Sequence, residues 1–357
     1  MTDAESQPTN DGLMGVRARR PTMKDVAQHA GVSVSTVSYV LNHSGPVGAS
    51  RRARVLDAVR LLNYTPNESA RSLKRRSTMT IGLVVPDLAN QFFALVTEGV
   101  ERAASERDIL VVLCAPEATE QPASHHANLL RSQRLDGVVY LAGTGTSPKL
   151  ILELARSGPV VLVDERISGF ELPAVVSDGR RGAREVAGYV LSQGHRRLAI
   201  IGGPEALWTA EQRLAGYREA LAAAGLDPDT VPVLTGDYRQ VSGLRLAELA
   251  LAGEPASRPT ALLCANDLMA IGALEYCRGA GIDVPREVSI VGFDDVPMAA
   301  LLTPRLTTVR QPARDMGYRA ATVLFELLAG GSDAQMAEPF PATLQVRDSV
   351  VPPTGSA

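Results

Sequence analysis

At 357 residues the chain is too long for one compact core and suits two or three units, one small and one large. With 45% hydrophobic and 21% charged residues it has the composition of an ordinary globular protein, and no uninterrupted apolar run approaches the roughly 18 residues of a membrane span, which excludes a membrane partner. The net charge of −3 conceals a division: residues 17–76 carry 12 Lys+Arg against three acids, a balance of +9, whereas residues 77–357 carry 24 basic against 33 acidic residues, a balance of −9. A basic segment of this size on an acidic body is the electrostatic footprint of a nucleic-acid partner, because phosphates attract Lys and Arg and release counterions.

Residues 1–20 are polar, pass from Asp3, Glu5 and Asp11 to Arg17, Arg19 and Arg20, and hold no apolar stretch. A disordered leader is expected there, not an export signal. From Met23 the run MKDVAQHAGVSVSTVSYVLN spaces Val26, Ala27, Ala30, Val37 and Leu41 for two short helices that bury one face. Gly31 suits a tight turn between them, and Ser33 suits the N-cap of a second helix over Val34–Leu41. In a helix-turn-helix the second helix enters the major groove, which makes Val34, Ser35 and Tyr39 the candidate base readers. Ser33, Thr36, Ser38 and Asn42 are short polar donors suited to phosphates. A third helix is expected across RRARVLDAVRLLNY, with Val55, Val59 and Leu62 on one face, which completes a DNA-binding unit over residues 21–65.

The linker at 66–78, within TPNESARSLKRRST, sets Leu73 among small residues such as Ala70 and a basic run that includes Lys74. An apolar side chain so placed can wedge into a minor-groove step; it can equally be a spacer packed on the body. Asn67 belongs to the same candidate contact.

The run from Lys24 to Ser77 resembles the lactose-repressor/galactose-repressor family of bacterial regulators, and the resemblance continues through most of the chain. It implies a hinge helix at the linker, with Leu73 beside Ala70 inserted at the operator's centre, and base reading by Val34, Ser35 and Tyr39. Many members have arginine where this chain has Tyr39, and arginine's bidentate bond to guanine is the commonest specific contact, so the half-site is less predictable here.

Beyond the linker the runs IGLVVPD, ILVVLCA, DGVVYLA, VVLVDE, LAIIGG, ALLCAND and VSIVGFDD alternate with helical patterns such as FFALVTEGVERAASERD, REVAGYVLSQG and RLAGYREALAAAG. Strands buried on both faces and covered by helices make parallel α/β sheets, and a length of about 275 residues calls for two similar lobes with a cleft. The expected body covers 79–352, one lobe at about 79–177 and 310–338, the other at about 178–309 and 339–352. The resemblance extends to periplasmic sugar-binding proteins, whose chain crosses three times between lobes; here the crossings fall near 177, 309 and 338. The fold class is therefore a small all-α helix-turn-helix unit plus a two-lobed, Rossmann-like α/β body of the periplasmic-binding-protein kind.

Asp87, Asn90, Phe92 and Phe93 follow the first strand, Asp164 the fourth, Asn266 and Asp267 follow ALLCA, and Asp294 and Asp295 follow VSIVGF. With Arg213 of RLAGY, Trp208 and Tyr238 they form a set suited to a hydroxyl-rich effector, although any one acid can serve as a helix cap or turn residue. The resemblance implies that Arg213 and Asp294 hold the effector and that Tyr238 lines its pocket. GTGTSP at 143–148 lacks the ending of a phosphate loop and is expected to be a turn; His125 and His126 are adjacent and are expected to be solvated surface. No cofactor and no catalytic constellation is expected. Cys114, Cys264 and Cys277, odd in number and far apart, are expected to be buried thiols in a reducing cytoplasm.

The expected function is a repressor that binds a near-palindromic operator as a homodimer and is switched by a sugar-like effector. A co-repressor-activated regulator responding to a nucleobase or another metabolite is the alternative within this class. A transport sugar-binding protein would explain the body but not the basic N-terminal unit. The C-terminus has no leucine heptads, which favours a dimer over a tetramer.

Overall fold

A computed structural model describes residues 21–42, 44–64, 78–114, 132, 135–143, 146, 148–167, 169, 171–331 and 338–354. The expectations for the leader, Asn67, Ala70, Leu73, Lys74, His125, His126 and much of 143–148 lie outside the described residues. The chain divides into two compact units, Met1–Arg75 and Arg76–Ala357.

The first unit contains α1 (Met23–Ala30), α2 (Val34–Leu41) and α3 (Ala49–Leu61). Thr22 and Asp25 form a reciprocal capping box at the start of α1, and Gly31, with φ 62°, closes it in the left-handed conformation. Ser33 caps α2 by accepting from the Thr36 backbone N–H at 3.1 Å. Val26, Ala27, Ala30, Val37, Val40, Val55, Ala58 and Tyr64 form the small core, with Leu41, Val59 and Leu62 packed at its margin.

The second unit contains two parallel sheets. In the first lobe β1 (Thr80–Val84), β2 (Leu110–Cys114), β3 (Gly137–Leu141), β4 (Val160–Val163) and β5 (Ala174–Val175) lie in the order β2-β1-β3-β4-β5. In the second, β6 (Leu198–Gly202), β7 (Val233–Thr235), β8 (Ala261–Cys264) and β9 (Ser289–Val291) lie in the order β7-β6-β8-β9. Strands β10 (Thr308–Arg310) and β11 (Thr343–Gln345) form an antiparallel pair. The expectation that every strand is buried on both faces fails for β2: it is an edge strand, and Leu110 and Leu113 are exposed. A strand at an edge has helix cover and a hydrogen-bonded neighbour on one side only.

The helix Gln91–Ser105 packs on Ala313–Leu328, which returns from the second lobe to cover the first sheet; Gly179–Ser192 packs on Trp208–Ala223, and Gln240–Ala250 on Asp267–Ala280. The last pair touches through glycine: a methyl group at Gly272 would run into the Gln240 carbonyl. Gly272→Ala is expected to cost about 1–3 kcal/mol by forcing the helices apart, measured by urea denaturation against Gly279→Ala, where nothing lies near the added methyl. Equal losses in the two variants would refute this account.

The chain passes between the lobes through residues 176–178, 310–312 and 340–342. Phe340 bridges these strands, its N–H donating to Val176 O and its carbonyl accepting from Asp178 N, both at 2.8 Å. The strand order reverses between β1 and β3 in the first sheet and between β6 and β8 in the second, the kind of place where parallel α/β sheets open a crevice at their carboxyl ends.

Candidate functional site

In the first unit the face of α2 turned away from the core is available for contact. Val34 is 41% exposed and Tyr39 50%, and Ser33, Ser35 and Asn42 are also exposed. Thr36 and Ser38 are half-buried. The hydroxyls form a local network: Ser33 Oγ lies 2.8 Å from Ser35 Oγ and 2.8 Å from Thr36 Oγ1, and Asn42 Nδ2 donates to Ser38 Oγ at 3.2 Å. The Tyr39 ring rests on Gly45, where a β-carbon would come within 3.2 Å of it. A glycine at this point lets the loop close on the aromatic face and orient the phenol outward.

The cleft of the body centres on Arg213, from the helix Trp208–Ala223. It is 3% exposed, donates through one terminal nitrogen to the Ala265 carbonyl at 2.6 Å, and sets the other 3.4 Å from Asp294 Oδ1. The guanidinium lies over the Phe293 ring at 4.1 Å and beside Tyr238 at 5.5 Å. Gln311, in the second crossing segment, donates to Asp294 at 2.7 Å and accepts from Ser177 in the first. Asp294 is thus held by the strands that join the lobes.

Asp164, at the end of β4, shares the site. Burial raises its carboxyl above the ordinary carboxylate range and the nearby Arg213 charge opposes that rise. Burial likewise lifts Asp294 to about 7, opposed by Arg213 and aided by Asp164. Asp164, Tyr238 and Asp294 all take positive φ, at 68°, 67° and 115°. Backbone strain of this sort costs on the order of 1–3 kcal/mol per residue and concentrates at functional sites. Asp164 Oδ1, Arg166 Nε and Arg213 Nε are buried without a hydrogen-bond partner among the described residues. Such atoms are exceptional; Thr78 Oγ1 is another, and of these residues Asp164 and Arg213 act on one another directly.

Other expected residues have structural duties. Asn90 caps the helix Gln91–Ser105 through Phe92 N, and Asn266 caps Asp267–Ala280 through Met269 N while its amide donates to Tyr238 O at 2.9 Å. Asp87 accepts from Ala89 N at 2.9 Å in a turn. Phe92, 2% exposed, belongs to the core, so of the expected pair only Phe93, packed edge-on against it, is partly accessible. Asp267 is wholly buried between Thr308 Oγ1 and Val296 N, and Asp295 pairs with Arg310 and Arg347. A cap or turn residue and a ligand-holding residue are the same types at the same strand ends, so only the partners tell them apart.

Glu165 and Thr209 were not anticipated. Glu165, from the first lobe, accepts from the Thr209 N–H and hydroxyl in the second. Beside them Arg166 stacks on Trp208 at 5.3 Å, and Trp208 also packs against the first lobe's core. The one available signal was adjacency: Glu165 and Arg166 directly follow Asp164. The three cysteines are free and buried, and among the described residues no group of three or more His, Cys, Asp or Glu could hold a metal ion.

A helix-turn-helix unit and a two-lobed parallel α/β body with a polar, strained cleft define a ligand-responsive DNA-binding regulator. The profile of bacterial regulatory proteins of the lacI family matches residues 22–67, and that of the periplasmic-binding-protein-like domain matches residues 187–350. The chain is 37% identical over 305 residues to the ribose operon repressor of Escherichia coli K12, covering 85% of this chain and 92% of the relative. It superposes on the lac repressor dimer bound to operator and the anti-inducer ONPF with a TM-score of 0.82 at 27% identity, over 93% of this chain and 100% of that one. The complex of the regulator CelR with cellobiose gives a TM-score of 0.69 at 34% identity, over 92% and 100% of the two chains. The chain belongs to the lacI family of bacterial regulatory proteins.

Proposed function

We propose that the chain is a non-enzymatic, cytoplasmic transcriptional repressor that binds a near-palindromic operator as a homodimer and releases it when a sugar-like effector occupies the cleft. One observation carries the effector half: the unpartnered Asp164 Oδ1 and Arg213 Nε present an acceptor and a donor in one buried place, the pair that a hydroxyl group satisfies. With the partly buried rings of Tyr238 and Trp208 nearby, they suit a polyhydroxylated molecule with apolar ring faces. The lac repressor dimer on its operator and the CelR–cellobiose complex support this reading by likeness.

In the DNA half, Ser35, Val34 and Tyr39 read bases, and Ser33, Thr36, Ser38 and Asn42 hold phosphates. The linker residues Asn67, Ala70, Leu73 and Lys74 supply a second contact. The effector acts by its differential affinity for two arrangements of the lobes, since a ligand that binds both equally shifts nothing.

Selection of the operator from random duplexes, followed by binding measurements, tests the assignment. Ser35→Ala and Tyr39→Ala are each expected to cost about 1–3 kcal/mol and to relax the preference at one position of each half-site. Loss of affinity by the same factor on every sequence would make these residues backbone contacts. A thermal-shift screen of sugars identifies the effector, and addition of the hit to the operator complex reads the sign of the switch.

A further inference from the structure

The helix Trp208–Ala223 begins at the cleft, and its first backbone N–H groups and the positive end of its peptide dipoles face that way. Where such an end is free it is a ready anion site, the natural seat for a phosphate or carboxylate of a ligand. Here it is taken. Its N-cap, Leu207, offers no side-chain acceptor, and the acceptor comes from the opposite lobe. Both carboxylate oxygens of Glu165 lie 3.3 Å from the Thr209 backbone nitrogen, and the Thr209 hydroxyl donates to the same group. Glu165 is 3% exposed, so water does not compete for the position.

The surroundings reinforce the exclusion. Asp164 adjoins Glu165 in the chain, and Asp294 stands across the cleft beside Arg213, whose two terminal nitrogens already meet Asp294 and the Ala265 carbonyl. Arg166, the other cation nearby, is stacked on Trp208. The unpartnered Nε of Arg213 suits a hydroxyl oxygen, whereas a multiply charged anion would face the carboxyl oxygens of Asp164, Glu165 and Asp294 as well.

We infer that Glu165 is a specificity-determining residue: by capping the second lobe's helix from the first lobe it fills the cleft's anion position, so the site takes an uncharged, hydroxyl-bearing effector and rejects phosphorylated or carboxylated ones. This rests on the reading of the cleft as the effector site. Burial, aided by the Asp164 charge, pushes the Glu165 carboxyl up to about 8, so near neutral pH it caps Thr209 largely as a neutral acid through its oxygens.

Inorganic sulfate, a dianion throughout the neutral range, is the probe. It is titrated at matched ionic strength into the full-length wild-type chain, Glu165→Ala and Glu165→Gln, and followed by calorimetry and by hydrogen exchange of the segment 207–212. Wild type is expected to show no saturable binding. Glu165→Ala is expected to bind sulfate saturably, at least about tenfold more tightly than the weakest binding the titration detects, and to slow exchange in that segment. Glu165→Ser replaces it if the alanine variant does not fold. Glu165→Gln keeps an oxygen acceptor for Thr209 and is expected to exclude sulfate as wild type does.

Saturable sulfate binding by wild type with protection of 207–212 would overturn the inference. So would a folded Glu165→Ala or Glu165→Ser chain with no gain, or a thermal-shift response confined to sugar phosphates and sugar acids. Failure of the underlying reading has a different signature: an effector whose binding survives both Arg213→Ala and Asp294→Ala.

Discussion

Arg213→Ala is expected to abolish the response to the effector and to destabilise the body by about 3–5 kcal/mol, the usual cost of removing one partner from a buried charge pair. The size follows from what the guanidinium does. It neutralises Asp294 at 3.4 Å and opposes the burial of Asp164, two carboxyls that would otherwise sit in a nearly dry crevice. It also satisfies the Ala265 carbonyl at 2.6 Å and fills the space over Phe293. Without it both acids take up protons, which recovers part of the loss and holds the total near the lower end of the range. Arg213→Lys is expected to recover charge but not shape, because an ammonium cannot reach Ala265 and Asp294 in one plane while stacking on Phe293. Urea denaturation followed by Trp208, the sole tryptophan, measures the stability, and calorimetry with the screened effector measures the response. Arg213→Ala with wild-type stability and wild-type response would remove Arg213 from the centre of the site.

The second large effect is the pH dependence of the body's stability. Burial, aided by the neighbouring Asp164 charge, holds the Glu165 carboxyl at about 8 in the fold, against an ordinary glutamate value of about 4 in the unfolded chain. Asp294, at about 7, is shifted in the same direction, and burial raises Asp164 and Asp267 too. Groups raised in this way bind more protons folded than unfolded, so stability falls as pH increases between the two values. The Glu165 contribution is fully present below about pH 4 and is lost as pH rises through 8, a change on the order of 5 kcal/mol. Urea midpoints at pH 5.5 and 8.5 are therefore expected to fall for wild type and to fall distinctly less for Glu165→Gln, which has nothing to titrate. Parallel profiles for the two chains would mean that Glu165 carries an ordinary carboxylate pKa.

The sequence by itself determined those features that depend on near neighbours in the chain. Gly31 and Ser33 place the turn and cap of the helix-turn-helix because a left-handed glycine and a serine accepting from the third residue on are local events. The seven long apolar runs found their strands for the same reason: a short run of mostly apolar residues needs burial wherever it is. Strands β5, β7, β10 and β11, of two or three residues each, carry too little pattern to announce themselves and exist because a partner strand or lobe crossing lies alongside. The outward faces of β2 were likewise decided by its place at the sheet edge, since the run Leu110–Cys114 is as apolar as its buried counterparts.

At the cleft, residue type and strand-end position picked out Arg213, Asp164, Tyr238 and Asp294. They also picked out Asn90 and Asn266, which are helix caps, and Phe92, which is core. The caps are local, Asn90 meeting Phe92 N and Asn266 meeting Met269 N, whereas Ala265 and Gln311, the partners of Arg213 and Asp294, are brought to them only by the tertiary structure. Glu165 is the plainest case: its partner Thr209 is 44 residues away and on the other lobe, so what it caps, and what it thereby excludes, is decided by the apposition of the two lobes.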